Sequence, residues 1–132
     1  MSLGTRSLMP TAQPRVVIVD ADRRVLQSVT DLLEVGGDVS VVGGAVDVRS
    51  ALELVERTRP DAVLVDPRLP DVDAGMALVS GLNRAWPSMR VVLTGWSDTV
   101  GHAQHVDATP YVSKTASPEE FAAAIVDACW CG

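Results

Sequence analysis

Short apolar runs rich in β-branched residues punctuate this chain, and stretches with helical spacing separate them. Arg15–Val19 reads RVVIV, Val39–Val42 VSVV, Ala62–Val65 AVLV and Arg90–Leu93 RVVL, while Tyr111-Val112 marks a fifth. Most of these runs are apolar at consecutive positions, not at every second one. A strand of that kind has no face to show to water, so its sheet must be covered on both sides. Sheets covered on both sides are parallel sheets whose crossovers are helices.

The intervening stretches supply those helices. Val25, Val29, Leu32 and Leu33 recur at i, i+4, i+7 and i+8, and Gly36-Gly37 follows as a stop. Val48, Leu52 and Val55, with Ala51, form a second stripe that ends before Pro60. Met76, Val79, Leu82 and Trp86 form a third, ended by Pro87, and Gly43-Gly44 is read as closing the second strand. Residues 97–106 are weakly patterned and suggest a short helix. The last helix starts most clearly: Ser117 as cap, Pro118 at the first helical position and Glu120 completing a capping box, with Phe121 and Ile125 on the inner face. The expected fold is α/β: a flavodoxin-like, doubly wound (βα)5 three-layer sandwich with a parallel sheet in the order 2-1-3-4-5.

A chain of 132 residues is one domain. Residues 1–14 lack an apolar core segment and read as a disordered tail, leaving 15–132 as the domain. The net charge of −6 makes the chain a poor partner for nucleic acid or anionic membranes. Ten of the eleven basic side chains are Arg, so Lys114 is the sole lysine. Cys129 and Cys131 are neither a disulfide framework nor a zinc site, and read as reduced thiols at a frayed helix end in a cytoplasmic protein. His102, His105 and Asp98 read as a solvated helix face rather than a metal site.

In a doubly wound sheet, the loops beyond the carboxyl ends of the strands build the site. Asp20 ends the first strand, with Asp22 just beyond; Asp66 ends the third, Thr94 the fourth, and the fifth runs towards Lys114. Each type has a task in phosphoryl transfer to a carboxylate. Asp66 can be the nucleophile, and a second carboxylate beside it can hold Mg²⁺. A hydroxyl and an ammonium can bind the remaining phosphoryl oxygens.

The motifs VVIVDAD (16–22), PDAVLVDPRLPDVDAG (60–75), VVLTGWS (91–97) and YVSKTASPEEF (111–121) resemble the receiver domain of two-component response regulators, over residues 15–129. The resemblance implies that Asp66 accepts a phosphoryl group from a sensor histidine kinase. It implies that Asp20 belongs to the acidic pocket, that Thr94 and Tyr111 are the switch residues and that Lys114 pairs with the phosphoryl group. It gives Mg²⁺ as cofactor, held by Asp20, Asp66 and the Arg68 backbone carbonyl. It also implies a homodimer on activation. The wording around 66–75 and 111–121 is nearest to the subfamily with a LuxR-type DNA-binding output, which would lie outside this domain.

Four features depart from that pattern. The second of two adjacent acids is replaced by Ala21, with Asp22 one residue further on as a substitute ligand whose helix-capping role competes. Gly95 stands where Ala is usual, Thr115 where Pro is common, and the stretch from Thr94 to Lys114 is about two residues short. Arg68 and Trp96, two residues after Asp66 and Thr94, are bulky and flank the path of an attacking water, which predicts a long-lived phosphoryl group. Two other readings compete. Ala21 suits a pseudo-receiver that binds a protein partner without phosphorylation. Asp20-Ala21-Asp22 also resembles the DxD of haloacid-dehalogenase-like phosphatases, with Asp20 as nucleophile and Asp22 as acid/base.

Overall fold

The computed structural model describes residues 13–96 and 109–130. Within them the order is β1 (Arg15–Val19), α1 (Arg23–Gly36), β2 (Ser40–Ala45), α2 (Val48–Thr58), β3 (Ala62–Val65), α3 (Val72–Ala85), β4 (Arg90–Gly95), β5 (Tyr111–Ser113) and α4 (Pro118–Trp130). The sheet order is β2-β1-β3-β4-β5 and every pairing is parallel. The helix expected within 97–106 and the side chains of Asp98, His102, His105 and Cys131 lie outside the described residues.

Successive strand residues enter opposite cores, which is why the runs do not alternate with polar residues. Val16 and Ile18 of β1, Leu64 of β3 and Val92 of β4 pack with Val29, Leu33, Phe121 and Ile125 of α1 and α4. Val17, Val19, Val63, Val65, Val91 and Leu93 point the other way, against Ala51, Leu54, Val55, Leu78, Val79 and Leu82 of α2 and α3. Burying each such side chain stabilises the fold by about 1.5–3 kcal/mol before the entropy of ordering it is subtracted.

The structure revises three details of the sequence reading. Gly43 and Gly44 do not close β2 but lie within it. A Cβ on Gly43 would stand 2.9 Å from Leu54 Cδ2, and one on Gly44 2.9 Å from Leu26 Cδ1, so leucines from the helices on either face crowd these positions. The buried leucine of α2 is Leu54, whereas Leu52 is exposed. Leu52 sits about 100° round the helix from Ala51, outside the face that Ala51 and Val55 define. Gln13 and Pro14 are also held by the domain: Pro14 is buried, its carbonyl accepts the Ser40 N–H at 2.8 Å, and the Gln13 amide donates to the Gly37 carbonyl.

The last helix starts as expected. Glu120 N–H donates to Ser117 Oγ at 3.1 Å and Ser117 N–H donates to Glu120 Oε1 at 2.8 Å. This reciprocal pair satisfies helix-end donors that would otherwise lack partners. Near the other end of α4, burial pushes the Cys129 thiol up to about 11, helped by the nearby Asp61 charge and opposed by Arg90. Cys129 is therefore protonated and inert at neutral pH.

Candidate functional site

Backbone pairing brings four strand ends together. Asp20 N–H donates to the Ala45 carbonyl and Asp66 N–H to the Val19 carbonyl, both at 3.0 Å, and Lys114 N–H donates to the Gly95 carbonyl at 2.8 Å. The ends of β1, β3, β4 and β5 thus share one sheet edge. Among the described residues, the buried polar or charged residues are Asp20, Asp66 and Thr94, one from each of the three central strand ends.

Lys114 joins the two acids. Its Nζ donates to Asp20 Oδ2 at 2.5 Å and to Asp66 Oδ2 at 2.6 Å, and its side chain is only 2% exposed. Buried charges persist only when paired and hydrogen-bonded, and here each has a partner. The outer oxygens are also used: Asp20 Oδ1 accepts the Asp22 N–H at 2.9 Å and Asp66 Oδ1 accepts the Arg68 N–H at 3.1 Å. The Trp96 ring lies over the ammonium, 5.3 Å from Nζ to the ring centroid. Sequence reasoning treated Trp96 as bulk beside the pocket and missed this contact, because it depends on how β4 and β5 are joined.

Thr94 Oγ1 is buried and has no hydrogen-bond partner among the described residues. Burying such a hydroxyl costs roughly 1–3 kcal/mol, so it is a donor available at a strand end. Tyr111 packs against the α2–α3 side of the core. Its hydroxyl lies 3.1 Å from where a Cβ on residue 95 would be, so Gly95 makes room for the tyrosine in this position.

Asp22 does not join this group. Its Oδ1 accepts from Arg24 N–H at 2.9 Å and Val25 N–H at 3.4 Å, capping α1. The cap wins because the first amides of α1 lack other partners, and Asp22 is exposed. As a substitute metal ligand, or as the acid/base of a phosphatase, Asp22 is in the wrong place. Ala21 lines an open groove with Val46, Val48, Leu69 and Pro70 and brings no ligand. Among the described residues, the buried carboxylates at the strand ends are those of Asp20 and Asp66. Mg²⁺ is commonly held by one or two carboxylates, with water and phosphate oxygens completing its shell, so this donor set fits the ion. A bound ion would share both carboxylates with Lys114.

Asp66 is followed by a loop that doubles back tightly. Leu69 is buried at its centre, the Leu69–Pro70 bond is cis, and Asp71 caps α3 by accepting the Ala74 N–H at 2.9 Å. Gly75 then presses its backbone against Pro67, directly after Asp66.

Comparison with known proteins agrees with this fold. The response regulator receiver domain model matches residues 16–126. A transcriptional regulatory protein of Bacillus subtilis strain 168, YhcZ, is 32% identical over 109 residues, covering 81% of this chain and 51% of the relative. A protein-glutamate methylesterase/protein-glutamine glutaminase of Xanthomonas oryzae pv. oryzae is 33% identical over 104 residues, covering 76% of this chain and 29% of the relative. The chain thus spans about half of the first relative and under a third of the second. Among solved structures, the NarL signal receiver domain of Mycobacterium tuberculosis superposes with a TM-score of 0.73 at 31% identity, covering 89% of this chain and 96% of that one. A LuxR-family two-component response regulator from Aurantimonas sp. SI85-9A1 gives 0.76 at 25% identity, covering 87% and 84%. With the family model matched along most of its length and the strand-end residues gathered at one edge, this chain belongs to the receiver domains of two-component response regulators.

Proposed function

We propose that Asp66 is the phosphoacceptor, taking a phosphoryl group from a histidine of a sensor kinase. The observation that supports it is the buried Lys114 ammonium bridging Asp20 and Asp66 at the ends of β1, β3 and β5. An Asp66 carboxylate oxygen attacks phosphorus, the P–N bond to the kinase histidine breaks, and the leaving imidazole takes a proton. Lys114 then moves its hydrogen bond from the carboxylate to a phosphoryl oxygen, and Thr94 Oγ1, which has no acceptor among the described residues, gains one. Receiver domains generally bind Mg²⁺ at this place; here Asp20, Asp66 and the Arg68 carbonyl would hold it. Its role is to neutralise phosphoryl charge.

Receiver domains are mostly non-enzymatic, and the only turnover assigned to this one is loss of its own phosphoryl group. We place it in the cytoplasm, where its kinase's catalytic parts reside, and infer homodimerisation on activation. No helix among the described residues is long and apolar enough to cross a membrane. Regulatory relatives and LuxR-family neighbours support transcription as the output, carried by a part of the protein other than this domain.

The test is intact-protein mass spectrometry after acetyl phosphate treatment, with and without Mg²⁺, beside Asp66→Asn. The expected result is a gain of one phosphoryl group that needs both Mg²⁺ and Asp66. No gain in folded wild-type protein would overturn the reading and leave a pseudo-receiver that binds a protein partner, which Ala21 favours. The same samples, followed after acetyl phosphate is removed, give the lifetime. With Trp96 covering Lys114 and Arg68 at the loop surface, the phosphoryl group is expected to persist for many minutes. A half-life of seconds would refute the shielding.

A further inference from the structure

Lys114 Nζ carries three N–H bonds, and its two carboxylate partners use two of them. On another side stands the indole of Trp96, at 5.3 Å. Trp96 is 57% exposed while the lysine side chain beside it is 2% exposed. Trp96 is thus a solvent-facing neighbour of a buried ammonium. Local backbone structure produces this arrangement. Lys114 N–H donates to the Gly95 carbonyl at 2.8 Å, so the residue after Gly95 leaves β4 beside the lysine. Thr94 and Gly95 pair with Val112 and Ser113, which places Trp96 at the level of Lys114.

We propose that Trp96 is a positioning residue for Lys114, its ring face holding the ammonium on Asp20 and Asp66 and keeping it from swinging into water. The electron-rich face of an indole attracts a cation, and it does so more strongly when water is excluded. This goes beyond obstruction of an incoming water, because it requires a π face and not merely bulk. It rests on the reading of Asp20, Asp66 and Lys114 as the acceptor site only for its functional consequence: after phosphorylation, the same ring keeps the ammonium on the phosphoryl oxygens.

Lys114 being the sole lysine makes the test clean. The full chain is treated with an N-hydroxysuccinimide acetate ester, and acetylation of Lys114 is timed by peptide mass spectrometry; the α-amino group falls in another peptide. Trp96→Phe keeps a π face, Trp96→Leu keeps apolar bulk without one, and Trp96→Ala removes both. Circular dichroism confirms that each variant is folded. Acetylation is expected to stay within about twofold of wild type in the Phe variant and to rise by about fivefold or more in the Leu and Ala variants. A ¹³C label at Lys114 Cε should show the ring-current shift of the indole in wild type, a smaller one in the Phe variant and none in the Leu variant. Protection by Leu equal to wild type would overturn the proposal in favour of bulk, and so would a Phe variant as reactive as Ala. An Ala variant as slow as wild type would remove any role for Trp96. These readouts use unphosphorylated protein, so a wild type that never accepts phosphate defeats the acceptor reading without touching this one.

Discussion

Gly75→Ala is expected to lower stability by about 4 kcal/mol and the midpoint of thermal unfolding by roughly 15 °C. Gly75 is buried in the first turn of α3. A Cβ there would lie 1.6 Å from the Pro67 carbonyl oxygen, 2.3 Å from its carbon and 2.6 Å from its Cα. All three are backbone atoms, so no side chain can rotate away. Either α3 or the loop after Asp66 must move, and α3 is tied down by the Asp71 cap and by Leu78, Val79 and Leu82 in the core. Helix propensity alone would favour Ala by about 1 kcal/mol, far less than the clash. Gly81, in the same helix, has nothing within 4 Å of a built Cβ, so Gly81→Ala is expected to be neutral or stabilising by up to about 1 kcal/mol. Thermal unfolding followed by circular dichroism compares the two. A Gly75→Ala variant melting within a few degrees of wild type would show that this contact is not tight. Because Pro67 adjoins Asp66, any folded fraction of the variant should also accept phosphate more slowly.

Lys114→Met should cost about 3 kcal/mol, since it strands two buried carboxylates without their cation. Asp20 and Asp66 are 4% and 7% exposed, too little for water to replace the ammonium. The cost comes from the charges left behind more than from the pair's own worth. Adding Asp20→Asn to Lys114→Met removes one of the two stranded charges and should recover much of the loss. Urea unfolding measures both variants, and an unchanged slope would show that the unfolded state is not the cause. A single variant as stable as wild type, or a double variant no more stable than the single, would contradict the bridging role of Lys114. Loss of the cation should also depress phosphoryl transfer to Asp66, because the ammonium then no longer offsets charge on the phosphoryl oxygens.

The site residues differ in how plainly they could be read. Asp20, Asp66, Thr94 and Lys114 were legible because each ends or follows an apolar run, and parallel strands deliver such ends to one edge. The Ser117–Glu120 box was legible because both partners lie within one turn. Leu54, Gly43, Gly44 and Gly75 were misread or unnoticed, since what governs them is a neighbour in another element or loop. Asp22 shows local chemistry prevailing: an acid just before a helix is claimed by the helix's own amides.

The sequence by itself determined the doubly wound sheet, because apolar runs exposed on neither face admit few other solutions, and it set the chemistry available at the sheet edge. Only the tertiary structure decided that Lys114 bridges the two acids, that Trp96 covers it, and that Gly75 and Gly95 leave the space which Pro67 and Tyr111 occupy. Those are contacts between separate elements and loops, fixed by strand register and helix packing, and no local pattern of residues encodes a distance.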